Sequence, residues 1–168
     1  IKKIKNMIQA PDIWLIFAPI KRYRMNIVIQ KATELGVSRV IPCITEYTNI
    51  KSVNINNLQL NAIEAAEQSE RLDIPTIEKP IQLQSLLSSW PEDRCLVYCD
   101  EKLTHEKSIM TSLVSLKNKN KKWAVLVGPE GGFSSSEKEL ITKSRNVVTV
   151  SLGKRLLRSD TALTVALF

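Results

Sequence analysis

Two short stretches bring together residue types able to do chemistry. "GPEGGF" at 128–133 sets one carboxylate, Glu130, among three of the chain's five glycines. Pro129 fixes its own φ and removes a backbone donor. Gly131 and Gly132 permit positive φ and expose bare backbone, so a ligand can lie against the chain without meeting a Cβ. "LGKRLLRSDTA" at 152–162 packs Lys154, Arg155 and Arg158 within five residues around Leu156 and Leu157. Leucines so placed can wall an apolar pocket while the cations reach outward. Neither stretch is a phosphate loop, because Phe133 and Ser134 stand where a Lys-Ser/Thr pair would be required. Nor does either have the G-x-G-x-x-G spacing of a dinucleotide site. A tight strand-to-helix turn also accounts for the first stretch. Ser134 and Glu137 have capping-box spacing, which gives Glu137 a structural role and leaves Glu130 without a capping partner.

Other reactive side chains are sparse. Cys43, Cys95 and Cys99 are few, odd in number and set in apolar runs, as expected of reduced, buried thiols. Cys95 and Cys99 on one strand face would sit about 13 Å apart at roughly 3.3 Å per residue, too far for a disulfide. One histidine, His105, is too little for a zinc site of about four ligands, so no metal is expected. It also excludes most Ser-His-Asp arrangements; His105 reads as a solvated residue at a helix start.

Charge is unevenly spread. The net charge is +7, and residues 1–31 carry +6 of it through Lys2, Lys3, Lys5, Lys21, Arg22, Arg24 and Lys31 against Asp12 alone. A one-sided basic end suits a phosphate-rich partner, although a solvated basic face would look the same. "KNKNKK" at 117–122 reads as a solvated loop before a strand.

These residues need a frame. Hydrophobic content of 43% and charged content of 24% are those of a globular protein, and 168 residues fit one domain. No apolar run approaches the roughly 20 residues of a membrane span, and the basic start has no signal core, so a cytoplasmic protein without membrane contact is expected. The chain opens on Ile1 rather than Met, and its last helical pattern is still running at Phe168, as in a piece of a longer protein. Short apolar runs at Ile13–Phe17, Arg39–Ile44, Arg94–Cys99, Trp123–Val127 and Val147–Leu152 predict strands. Met25, Val28, Ala32 and Leu35 form one helical stripe that Gly36 ends. Further helices are predicted over Leu58–Glu70, Leu83–Trp90, His105–Leu116, Ser136–Ser144 and from Ser159 onward. Strands apolar on both faces, alternating with helices, predict an α/β fold: a mostly parallel sheet with helices on both faces. Both candidate stretches then follow strands directly, where ligands bind in such sheets.

"LVGPEGGFSSSE" and "SLGKRLLRSDTA" together resemble the small-subunit ribosomal RNA uridine-N3 methyltransferases, a branch of the SPOUT class. "KATELGVSRVIP" at 31–42 and "EAAEQSERLDIP" at 64–75 agree, so the resemblance covers nearly the whole chain in order. It implies a C-terminal trefoil knot, which periodicity cannot show. It also implies S-adenosylmethionine as cofactor, a homodimer, and 16S ribosomal RNA in the small subunit as substrate. Position by position it makes Gly128, Pro129, Glu130, Gly131 and Gly132 one cofactor loop, and Leu152, Gly153, Leu156, Leu157 and Arg158 the other. Gln68 and Arg71 match a polar pair which, with Lys21, Arg22, Arg24, Lys31 and Arg155, is expected to meet RNA. Residues 1–168 correspond to the methyltransferase domain, the family's barrel-like N-terminal RNA-binding domain being absent from this chain. Where the family usually has Glu this chain has Asp160, one methylene shorter.

Methyl transfer to a uridine N3 requires removal of the N3 proton or stabilisation of the anion, whose charge spreads onto two carbonyl oxygens. Glu130 and Asp160 are the available carboxylates, and Arg158 and Arg155 the available cations. Arg158 is expected to act on the developing charge. Glu130 is expected either to take the proton or to hold the second loop through an arginine. Competing readings are another SPOUT enzyme, acting on tRNA or a ribose hydroxyl, and a non-catalytic RNA-binding knot protein.

Overall fold

The computed structural model describes residues 11–50, 52–101, 109, 112, 114 and 122–168. Their elements run β1 (Ile13–Phe17), α1 (Arg22–Glu34), β2 (Arg39–Ile44), α2 (Ile55–Gln68), β3 (Thr76–Ile77), β4 (Ile81–Gln82) and α3 (Leu83–Ser88). Then follow β5 (Arg94–Cys99), β6 (Lys122–Val127), α4 (Ser135–Lys143), β7 (Val147–Val150) and α5 (Ser159–Leu167). Lys2, Lys3, Lys5, His105, most of the helix expected over His105–Leu116 and most of "KNKNKK" lie outside the described residues.

The strands form one sheet in the order β3-β2-β1-β6-β5-β7, with β4 also on β2, and every pairing is parallel. Successive strand side chains point to opposite faces, and both faces are covered. Leu15, Phe17, Val40, Val125 and Val127 meet Met25, Val28 and Ile29 of α1, Leu58 and Ala62 of α2 and Leu163 of α5. Ile16, Ile41, Leu96, Tyr98, Ala124 and Leu126 meet Leu83, Leu86 and Leu87 of α3 and Ile141 of α4. Leu15, Ile16, Val40 and Leu96 are wholly buried, each such side chain contributing about 1.5–3 kcal/mol of hydrophobic stabilisation. Substituting Asp for Ile16 would break this layer, because both faces of β1 are dry.

Local chemistry sets the ends of α1 and α4. Gly36 takes φ +85° after α1, its N–H bonding to Thr33 O at 3.1 Å and that of Val37 to Ala32 O at 3.0 Å. This is a Schellman ending. Ser134 and Glu137 form the expected capping box on α4. The two-residue strands β3 and β4 carry no readable period. They pair with β2 at Arg39–Val40 and at Cys43–Ile44. Pro80, which has no N–H, stands between them. β7 stops at Val150, short of the expected Leu152: the ladder with β5 ends there, Ser151 O accepts instead from Ile109 N at 3.3 Å, and Ser151 Oγ accepts from Gly153 N at 3.2 Å.

Two arginines serve structure. Arg94, 3% exposed, donates to Asp12 O at 3.0 Å, Trp123 O at 2.9 Å and Asp12 Oδ2 at 2.7 Å, and its guanidinium lies 3.7 Å from the Trp14 ring centroid. It ties β5 to β6 and to the start of β1. Arg71 corrects an expectation. Rather than reaching for RNA, it is 8% exposed and donates to Thr33 O at 2.7 Å, Val37 O at 2.8 Å and both oxygens of Asp73. It adds a second donor to Thr33 O, which Gly36 N already meets, and supplies one to Val37 O just beyond α1. Gln68, its expected companion, is exposed on the last turn of α2.

Candidate functional site

Because β5 lies between β6 and β7, the loops leaving these three strands converge at one edge of the sheet. A cavity of about 250 Å³ opens among them. The first loop contributes Gly128, Pro129, Glu130, Gly132 and Phe133, and the last contributes Ser151, Leu152, Gly153, Arg155, Leu156, Leu157 and Arg158. The middle loop adds Cys99, Asp100 and Glu101; Tyr98, Val127, Lys138, Ser159 and Ala162 close the walls. Every residue expected to hold a cofactor lines this cavity except Gly131.

Gly132 keeps the expected positive φ on the cavity wall, whereas the missing Cβ of Gly128 and of Gly131 makes room for a neighbouring aromatic side chain. A Cβ on Gly128 would lie 2.7 Å from the Phe133 ring, so that glycine lets Phe133 fold under the loop. Phe133 then packs edge-on against Tyr98, ring centroids 5.4 Å apart. Gly132 holds φ +70°, and a Cβ there would stand 2.8 Å from Glu101 Oε1. Gly131 corrects an expectation. Its missing Cβ makes room for Tyr47, 3.1 Å away, on the side of the β2 loop and not of the cavity.

Charge is arranged around an apolar bed. Lys138 pairs with Asp100 at 3.0 Å within the wall. Glu130 pairs with an arginine, as one of its two expected roles required, but that arginine is Arg24 of α1, at 3.2 Å, and not one from the second loop. Arg24, 14% exposed, is therefore a rim residue of the cavity rather than a free phosphate contact. Tyr23 Oη accepts from its Nε at 2.9 Å, and this bond, followed by the charges of Asp160 and Glu130, holds the guanidinium above the usual arginine range. Asp160 sits in the first turn of α5, and its Oδ1 is buried without a donor among the described residues. Arg155 and Arg158 are exposed and make no side-chain hydrogen bond or ion pair among the described residues. Burial pushes the thiols of Cys43 and Cys99 up to about 12, so Cys99 meets the cavity as an apolar wall and not as a thiolate.

Of the other expected RNA contacts, Lys21 and Arg22 are exposed at the start of α1, Arg22 donating to Asn57 Oδ1 at 3.4 Å. Lys31 pairs with Glu34 at 2.7 Å near the other end of that helix. Sequence reasoning missed Tyr98, Asp100, Glu101 and Lys138. The available signal was the position of Asp100 and Glu101 directly after a predicted strand. That the strand would stand between β6 and β7 is a matter of topology.

The arrangement can hold a partly apolar ligand that carries positive charge near Asp100, Glu101 and Glu130, with free cations left for a second, anionic reactant. A parallel α/β sheet with a ligand cavity across three carboxyl ends defines the chain as a ligand-binding α/β domain of the doubly covered kind. More narrowly, the chain belongs to the RNA methyltransferase domain family, which it matches over residues 8–168. It is similar to the ribosomal RNA small subunit methyltransferase E of Rickettsia conorii, 37% identical over 98% of this chain and 68% of that protein. The crystal structure of a ribosomal RNA small subunit methyltransferase E from Neisseria gonorrhoeae bound to S-adenosyl methionine superposes with a TM-score of 0.83. It is 27% identical over 94% of this chain and 64% of that one. The fold is also that of a TrmH/SpoU tRNA modifying enzyme of Aquifex aeolicus, with a TM-score of 0.57 and 13% identity over 95% of this chain and 73% of that one. The chain thus spans about two thirds of the length of its ribosomal RNA methyltransferase relatives. No helix among the described residues is long and apolar enough to cross a membrane.

Proposed function

We propose that this chain is the catalytic part of an enzyme that transfers a methyl group from S-adenosylmethionine to N3 of a uridine in 16S-type ribosomal RNA. The carrying observation is the three-loop cavity, together with the relative of the same family whose structure holds that cofactor. The residues fit the group. Phe133, Leu152, Leu157 and Ala162 offer an apolar bed for an adenine, and Asp100, Glu101 and Glu130 supply negative charge for a sulfonium. Gly132 leaves open the space beside Glu101 that a side chain would take.

When bound, the cofactor supplies an electrophilic methyl. The remaining work falls to the chain. Glu130, 43% exposed and on the cavity wall, is the carboxylate open to a substrate, whereas the Oδ1 of Asp160 is covered. We therefore assign proton acceptance to Glu130: the N3–H bond breaks, an O–H bond forms on the carboxylate, and the freed nitrogen pair takes the methyl. Asp160 supports the charge of Arg24 from the first turn of α5. Arg158, exposed and without a partner among the described residues, donates to the uracil oxygens as charge gathers there. Lys21, Arg22, Lys31 and Arg155 hold phosphates, with Gln68 as a further polar contact.

The trefoil knot is part of this reading. It is supported by the return of the chain from the edge strand β7 to pack α5 against β6 and α1. So is a homodimer, supported by Ile27 of α1 and Val165 of α5, which remain 40% and 44% exposed while Ala162, Leu163 and Ala166 face the core. A cytoplasmic site of action follows from the ribosomal substrate.

Calorimetry with S-adenosylmethionine, then mass-spectrometric mapping of the methylated nucleotide on 30S subunits, tests the proposal. Methylation at a uracil N3 is the expected result. A ribose methyl, or activity on tRNA alone, would assign the chain to a different SPOUT activity, and failure to bind cofactor would remove the enzyme reading.

A further inference from the structure

The cavity occupies the carboxyl ends of β6, β5 and β7, which leaves those of β1 and β2 beside it. Two exposed tyrosines stand there. Tyr47, 46% exposed, follows β2 and packs its Cβ against Gly131; Tyr23, 59% exposed, opens α1 and bonds Arg24, which pairs with Glu130. The α1 start and the β2 loop therefore meet consecutive residues of one cavity loop.

Tyr47 is exposed but not loosely held. Its turn is fixed by Thr45 N to Thr48 Oγ1 at 2.9 Å, by the buried Thr45 and Thr48 hydroxyls at 2.8 Å, and by Thr48 N to Thr45 O at 3.1 Å. Glu46 N donates to Glu137 Oε1 at 2.8 Å, while Glu137 Oε2 accepts from Ser134 N in the α4 cap. One carboxylate thus fastens the Tyr47 turn to the helix that follows the Gly131 loop. A large ring on a pinned turn, nearly half exposed, is a pre-organised stacking surface. Beside it, the Arg24–Glu130 pair presents a donor and an acceptor side by side, the complement of the N3–H and a neighbouring carbonyl of uracil.

We propose that Tyr47, with the Arg24–Glu130 pair, forms the subsite for an unpaired pyrimidine nucleotide of the RNA substrate, stacked on the ring next to the cofactor cavity. The proposal rests on the function proposed above. Single-stranded bases are recognised by aromatic stacking of this kind, worth about 1–3 kcal/mol per base. Tyr23 fixes the orientation of Arg24 through its hydroxyl.

The test uses a five-residue oligouridine and the chain with and without substitution. Tyr47→Ala should weaken oligouridine binding about 5- to 160-fold, the range that this stacking energy implies. Tyr47→Phe, which keeps the ring, should bind within about twofold of the unaltered chain. Both should bind S-adenosylmethionine as the unaltered chain does, since Tyr47 does not line the cavity. Equal oligouridine affinity for Tyr47→Ala and the unaltered chain overturns the subsite, as does absence of binding to the unaltered chain at about millimolar oligonucleotide, weaker than ordinary non-specific contact. Should Tyr47→Ala not fold, photocrosslinking of a 5-iodouridine oligonucleotide to the unaltered chain decides. Adducts on Tyr47 support the subsite, and adducts only elsewhere remove it. Loss of cofactor binding by the unaltered chain would instead count against the enzyme reading, and is read out separately.

Discussion

Arginine–carboxylate pairs stand at both ends of the sheet. At the amino end, Arg94 is 3% exposed, pairs with Asp12 at 2.7 Å, serves two carbonyls and lies against Trp14. At the carboxyl end, Arg24 meets Glu130 at 3.2 Å, Glu130 is 43% exposed, Asp160 Oδ1 has no donor, and Arg155 and Arg158 are unpaired among the described residues. The same residue types thus do opposite work. At Arg94 both terminal nitrogens find acceptors and only the buried Nε does not, so most donors and acceptors are matched and the charge is a fastening. Where they are left open beside a cavity, the charge is available to a ligand, and the fold carries the cost of unsatisfied groups.

That contrast predicts separable losses. The largest is at Arg158. Arg158→Ala should lower single-turnover methyl transfer to 30S subunits roughly 100- to 1,000-fold, as removal of one transition-state donor does. Its denaturation midpoint should move by less than about 0.5 kcal/mol, as for an exposed side chain without partners. Loss of cofactor affinity in step with rate would make Arg158 a ligand-binding residue instead.

Arg94→Ala should do the reverse. Unpairing two carbonyls and a carboxylate should cost about 3 kcal/mol in a urea titration, with cofactor affinity of the folded protein unchanged. If transfer falls while stability holds, the two ends are not independent.

Arg71→Ala sharpens the contrast at the end of α1. A loss of about 2 kcal/mol is expected, with the salt dependence of RNA binding as in the unaltered chain. A shallower slope would return Arg71 to the RNA contacts.

Acid should act through the matched pairs. Arg94 holds the Asp12 carboxyl below the usual carboxylate range, and Arg71 does so for Asp73. Each group binds a proton more weakly folded than unfolded, so its contribution is present above the unfolded value of about 3.9 and is lost as pH falls through the lower folded value. Melting temperature should therefore drop below about pH 4, and less steeply in Asp12→Asn and Asp73→Asn; an unchanged profile in both would remove these pairs as its cause.

The smallest effect belongs to the exposed start of α1. Lys21→Ala should reduce the slope of log affinity against log salt by about 0.7–0.9 per phosphate contact, leaving cofactor binding untouched. An unaltered slope would make Lys21 part of a solvated face.

Much of this was legible in the chain. The bounds of β1, β2 and β5 follow from apolar runs, because a strand buried on both faces must be apolar throughout. Gly36 and the Ser134–Glu137 box mark helix ends through chemistry complete within a few residues. The Gly-rich and Leu–Arg loops were visible as ligand-facing stretches, since unusual glycines and clustered cations are local facts.

What escaped the sequence depends on pairings between distant residues. Periodicity says that a strand exists but not beside which strand it lies. Only the placing of β5 between β6 and β7 puts the Asp100–Glu101 loop at the centre of the cavity. Arg24 and Arg71 both looked like free cations. One meets Glu130 across 106 residues, and the other meets backbone carbonyls of Thr33 and Val37, groups that no side-chain pattern reports. The sequence by itself determined the longer strands and helices and the chemistry of the Gly-rich and Leu–Arg loops, because these follow from local sterics and burial. The tertiary structure decided which charges are satisfied and which stay open, because satisfaction depends on distances that exist only after the sheet has ordered its strands.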